Sequence, residues 1–306
     1  MHVKTSNPVL KKIKRSRQLY LLLLIPLIWL IVFCYVPMYG VVLAFKQYNV
    51  NDGIMGSPWI GLKMFEQFFS SPSSWTIIKN TILINLYSLV ASFPFSIILA
   101  VALNEIRSIH FKKTVQMVTY APYFISTVVL VGLLMQLMDT RNGIINKIIT
   151  LLGGSAIDFF AKPELFSSIY VWSGVWQTTG FYAVIYISAL AGVSRELQEA
   201  AIIDGASRCK RIWHVDLPCI MPTIIILLIL NIGSIMNVGF EKIYLMQNSC
   251  NLSTSEVLST YVYKVGLINS DYSFSTAVNL FSSIINMIML ALANIASRKF
   301  SDTSLW

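Results

Sequence analysis

What most constrains this chain is a series of apolar segments too long for a soluble core. A bilayer's hydrocarbon layer is about 30 Å thick and takes roughly 20 apolar residues per helix. Stretches of that length lie near residues 19–45, 78–103, 115–137, 168–192, 218–240 and 275–297. Of the 306 residues only 12% are charged, well under the roughly 25% of soluble domains. The expected fold is therefore all-α, a polytopic membrane protein with six transmembrane helices. Three parts follow: a basic N-terminus at 1–18, a membrane domain at 19–297 and a short tail at 298–306.

Lys and Arg set the orientation, because cytoplasmic loops retain them. With the N-terminus inside, the inner segments hold 15 Lys and Arg against six acidic residues, and the outer segments hold eight of each. The whole net charge of +9 then sits on one face. An anionic inner leaflet accounts for that surplus, so no nucleic acid need be invoked. Both termini are expected in the cytoplasm. The first apolar run exceeds the 7–15 residues of a signal core and ends without a small-residue cleavage site, so it is expected to remain as an anchor.

The chemistry available is limited. Cys34, Cys209, Cys219 and Cys250, like His2, His110 and His214, are scattered along the chain, which suggests neither a disulfide framework nor a metal cluster. Charged residues avoid the interiors of the apolar segments, with Lys46, Lys79 and Glu241 only at their edges. That disfavours a proton-relay pump. None of the 15 glycines is followed by Lys, so the chain lacks the phosphate-cradling loop of an ATPase.

One polar stretch interrupts this pattern. Residues 193–217 lie on the inner face by the charge count and include QEAAIIDGASRCKRIWHVDL. Ser194 can cap a helix of about ten residues with Glu196 in its first turn and Gly205 at its end. Asp216 can cap the following span, with Pro218 in its first turn. Small alanines beside the Glu199 carboxylate suit close approach by another protein's backbone. A solvated connecting loop fits the same residues.

The order Glu199-Ala200-Ala201, three residues, Gly205, nine residues, then Val215-Asp216-Leu217-Pro218 resembles the EAA loop of permease subunits in binding-protein-dependent ABC importers. Val215 replaces the family's Ile, and Asp204 and Ala206 match its commoner D-G-A form. VPMYGVVLAFKQYN at 36–49 and PWIGLKMFEQFF at 58–69 are similar to maltose-type permeases of the oligosaccharide and polysaccharide branch. The resemblance implies a type I importer permease fold in a prokaryotic cell membrane. It also implies a heterodimer with a second permease, two ATPase subunits that bind ATP and Mg, and an extracytoplasmic solute-binding protein. Glu199 would pair with a basic residue of the ATPase, and Ala200 and Ala201 would pack in its cleft. Gly205 would allow the turn, and Leu217 and Pro218 would join the loop to the next span. This chain itself needs no cofactor and is not an enzyme on this reading.

A sugar's path requires hydroxyl and amide groups beside aromatic faces. Candidates on helical stripes are Tyr123 and Thr127; Trp176, Gln177 and Phe181; and Asn231, Ser234 and Asn237. Each has a plainer reading, as glue between membrane helices or as an interface anchor. The competing functions are an importer for a peptide or amino acid and, from another class, a membrane-embedded glycan-processing enzyme. The enzyme would need acidic or metal-binding groups clustered near an interface.

Overall fold

The computed structural model describes residues 16–301 together with 304 and 305. The basic segment 1–15, including His2, and positions 302, 303 and 306 of the tail lie outside the described residues. Among the described residues regular structure is helical, apart from one antiparallel bridge between Lys46 and Trp59.

Four helices are long and apolar enough to cross a membrane: α1 (Arg17–Phe45), α3 (Ser74–Glu105), α9 (Arg208–Ile232) and α12 (Tyr272–Ser301). A fifth crossing exists if the bent pair α4 (Ile109–Tyr120) and α5 (Thr127–Leu137) counts as one. The expectation of six transmembrane helices is corrected accordingly. Two segments account for the difference. The stretch expected at 115–137 is not straight: a 3-10 turn over Ala121–Phe124 carries Pro122, and the helices on either side meet at 97°. Pro122 cannot continue the hydrogen-bond ladder, and Ser126 starts a new helix by accepting from the Val129 N–H at 3.4 Å. The stretch expected at 168–192 forms α7 (Pro163–Ala191), which is long enough but too polar through Gln177, Thr178 and Thr179.

Two other boundaries moved. The apolar stretch expected at 218–240 starts earlier and stops at Ile232, where Gly233 comes so close to α12 that a Cβ would lie 2.5 Å from Leu290 Cδ1. From Arg208 onward the loop already belongs to α9, which passes through a π turn at Ile212–Asp216. Pro218 explains the π turn: its ring would clash with the carbonyl four residues back, and a wider turn relieves this. The π turn at Ile31–Tyr35 stands in the same relation to Pro37.

α3 and α7 pack along one another at the centre of the molecule. Near one end Ala100, Ala183, Tyr186, Leu190 and Ile220 form a core, and near the other Ile84, Val131, Phe166, Ile243 and Met246 form a second. The segment PWIGLKMFEQFF sends α2 (Lys63–Ser70) into the protein, with Phe68 only 1% exposed among Tyr261, Phe274 and Phe281. α6 (Ile144–Leu151) is closed by the glycine pair, with Gly153 at φ +85° and the Gly154 N–H donating to Ile149 O at 2.9 Å. The polar segment after Gly239 folds into α10 (Phe240–Met246) and α11 (Leu258–Tyr263), pinned by buried Asn251, whose amide donates to Phe160 O and Met246 O at 3.0 and 3.1 Å.

Candidate coupling loop and transport cavity

The loop after α7 builds α8 (Arg195–Ile203) from local signals alone. Ser194 Oγ accepts from the Glu196 N–H at 3.2 Å. At the other end Gly205 takes φ +74°, its N–H donates to Ile202 O at 3.0 Å, and the Ala206 N–H donates to Ala201 O at 2.9 Å. This pair of bonds satisfies carbonyls that an ending helix leaves open, and the left-handed residue between them favours glycine. Asp204 is the last residue before the turn, its N–H bonded to Ala200 O at 2.9 Å. Glu199 and Ala200 are exposed and Ala201 half-buried, flanked by exposed Leu197, Ile202 and Ile203. Leu217 and Pro218 lie within α9 just past its π turn.

Asp216 does not cap α9 as the sequence suggested, because the backbone there is already helical. Its carboxylate, 2% exposed, instead accepts from Gln198 Nε2 on α8. Gln198 Oε1 in turn accepts from Arg211 Nη1 at 3.1 Å, and Arg211 Nη2 stands 3.9 Å from Glu105 Oε2 at the end of α3. α8 is therefore tied by side chains to the first turns of α9 and to the end of α3. Gln198, Arg211 and Glu105 were not among the candidates, since nothing in their spacing marks residues that far apart as neighbours.

A cavity of about 570 Å³ opens between α3, α7, the start of α5, the end of α9 and the start of α10. Of the eight pathway candidates it brings together Thr127, Gln177 and Asn231. The other five lie elsewhere. Tyr123 and Phe181 stack on each other, ring centroids 3.7 Å apart. Trp176 lines a smaller apolar pocket of about 270 Å³ with Leu130, Leu133 and Trp172. Ser234 and Asn237 fall in the turn beyond α9, so the helical stripe expected from Asn231 ends there; Ser234 Oγ donates back to Asn231 O at 3.0 Å, and Asn237 Oδ1 accepts from Asn286 at 3.2 Å.

The wall of the cavity contains groups the candidates omitted. Ser88, Ser92 and Ser96 recur every fourth residue on α3, one face of a helix, a stripe legible in the sequence. Ser92 and Ser96 donate to carbonyls four residues back at 2.7 and 3.0 Å, which leaves hydroxyl lone pairs as acceptors. Lys242 on α10 is only 8% exposed, yet lies on the same wall. Its Nζ donates to Tyr170 O at 2.9 Å and stands 4.9 Å from the Tyr170 ring centroid. α10 lies outside the helices that qualify as membrane crossings, and burial lowers the Lys242 ammonium from 10.5 to about 8. The cavity thus combines hydroxyls, amides, tyrosines and one cation, a lining suited to a polar solute.

A family model described as the inner membrane component of binding-protein-dependent transport systems matches residues 92–302, which include the 193–217 loop and most of the cavity wall. The chain belongs to this family. Among similar proteins of Bacillus subtilis (strain 168), protein LplB is 40% identical over 294 residues, covering 96% of this chain and 92% of its own length. The polygalacturonan/rhamnogalacturonan transport system permease protein YteP is 39% identical over 298 residues, covering 97% of this chain and 93% of its own. The crystal structure of a bacterial ABC transporter involved in the import of the acidic polysaccharide alginate contains a chain that superposes with a TM-score of 0.89 at 36% identity. That alignment covers 96% of this permease and all of the other chain. The permease is a multi-pass transport component of the membrane, consistent with a separate subunit supplying ATP hydrolysis.

Proposed function

We propose that this permease forms half of the path by which an ATP-driven importer takes up an oligosaccharide. The observation that carries the reading is the pairing of an EAA-type loop, exposed on α8, with a polar cavity on the helices to which that loop is tied. On this reading the 193–217 loop faces the cytoplasm and docks on an ATPase. Glu199 pairs with a basic residue of that partner, Ala200 and Ala201 pack in its cleft, and Asp204, Gly205 and Ala206 close the helix. Leu217 and Pro218 carry movement into α9. Gln198 and Arg211 then spread the same displacement to α3. A second, different permease completes the conduit, two ATPase subunits supply the energy, and an extracytoplasmic binding protein delivers the sugar. Thr127, Gln177 and Asn231 are the cavity contacts this reading favours, and the similarity to saccharide importers supports the cargo class.

The complete transporter in lipid should hydrolyse ATP faster when a sugar-loaded binding protein is added. Stimulation by a peptide-loaded protein alone would reject the saccharide cargo. In the same preparation Glu199→Lys should lower stimulated ATP hydrolysis and uptake at least tenfold while the permease still assembles in the membrane, because it places like charges across a desolvated contact. Uptake at the wild-type rate would reject the role given to Glu199.

A further inference from the structure

A fully buried lysine is costly unless its charge has a use or a partner. Lys242 belongs to no ion pair among the described residues, where the ion pairs are Arg211–Glu105 and Lys264–Glu256. Its ammonium offers three N–H donors, and the structure gives it one acceptor, Tyr170 O, with the Tyr170 ring beside it. Space for a further partner is preserved by Gly174 of α7, where a Cβ would lie 3.4 Å from Lys242 Nζ. Gly174 and Lys242 both line the 570 Å³ cavity, as do Gln177 and Asn231, whose carboxamides suit sugar hydroxyls. Tethering α10 to α7 through a single carbonyl would require only a neutral donor, so the charge is surplus to that structural task.

The geometry points to Lys242 as the residue by which this permease recognises a carboxylate on its cargo, making the transported saccharide one that contains uronic acid. The inference rests on the saccharide reading above and narrows it. A single buried ammonium matches one monoanion. Glu241, exposed on the same wall, would oppose a phosphate monoester, which carries nearly two negative charges, more strongly than a carboxylate. The carboxylate would accept from the free Nζ donors in a charge-assisted bond, the kind that gains most where water is excluded. Burial keeps the amine near its titration point at about 8, and a bound anion would favour its protonated form.

The test is equilibrium binding to the complete permease–ATPase complex in lipid nanodiscs, without the binding protein, whose own selectivity would mask that of the cavity. The probes are a galacturonic acid trisaccharide and its neutral methyl ester. At pH 7 the acid should bind at least tenfold tighter than the ester. Lys242→Met should collapse that ratio to near one, and Lys242→Arg should restore most of it. Above pH 8 the wild-type ratio should fall by up to tenfold per pH unit as the lysine loses its proton. The other ionisable groups on the cavity wall are Tyr170, Tyr182, Tyr186 and Glu241; the arginine variant separates Lys242 from them, because guanidinium stays charged throughout and its ratio should hold at pH 9. Equal affinities of acid and ester in the wild type would overturn the inference, as would a Lys242→Met variant that weakens both alike. Should Lys242→Met fail to assemble, the wild-type ratio and its pH profile still decide. If both sugars bind with equal strength, only the charge recognition falls. If neither binds while a peptide of similar size does, the saccharide reading falls with it.

Discussion

Gly205 shows how much one residue decides in the 193–217 loop. Its φ of +74° closes α8, and beyond the position of a Cβ there is open space. A side chain here would meet no neighbour, so the penalty of Gly205→Ala is backbone strain alone, about 1–2 kcal/mol. That strain loosens the bonds from Gly205 and Ala206 to Ile202 and Ala201. Hydrogen exchange of the α8 amides should therefore quicken roughly tenfold in Gly205→Ala and less in Gly205→Asn, since Asn tolerates this conformation better. Unchanged exchange in the alanine variant would mean that the cap does not hold the helix. The glycine was legible in the sequence because both its conformation and its partners lie within a few residues. Lys242 was not, because its surroundings come from α7, 72 residues away along the chain from Lys242 to Tyr170.

At the scale of elements, close helix crossings decide the layout. Where α4 ends against α7, a Cβ on Gly180 would come 2.0 Å from Thr119 O and 3.1 Å from Tyr120 Cδ1. Small residues let membrane helices approach this closely. Gly180→Ala should force α4 and α7 apart and lower stability by about 1–3 kcal/mol, as overpacking does, seen as a lower melting temperature of the detergent-solubilised complex. Gly132→Ala on α5 is the control, since nothing lies within 4 Å of its Cβ. Equal melting temperatures for the two variants would deny the tight crossing. The same bend between α4 and α5 explains why an apolar count over 115–137 read one straight span: hydropathy averages over a window and carries no direction, whereas Pro122 and the Ser126 cap turn the chain by 97°.

For the whole molecule, the proposed cytoplasmic placement of the Lys- and Arg-rich segments and of α8 can be tested together. Cys209, just after α8, and Cys250, between α10 and α11, are both exposed. In variants retaining one of these cysteines, a membrane-impermeant maleimide should label Cys250 from outside intact cells and Cys209 only once the membrane is opened. Labelling of Cys209 from outside would reverse the orientation and remove the proposed ATPase contact. The bridge from Gln198 through Arg211 to Glu105 bears on the same scale, because it joins the loop to α3 as well as to α9.

Legible in the linear pattern were the chain's membrane character, the uneven division of its basic residues among the loops, and where α8 starts and stops. Those properties depend on composition, charge count and hydrogen bonds spanning five residues or fewer. The folded chain alone shows that the apolar stretch at 115–137 is bent by 97° between α4 and α5. It also decided that Asp216 answers Gln198 instead of capping its helix, that Trp176 looks into an apolar pocket, and that Lys242 stands in a polar cavity. Each of these depends on the direction in which a side chain leaves one helix and on what a distant helix places opposite it, and a linear pattern fixes neither.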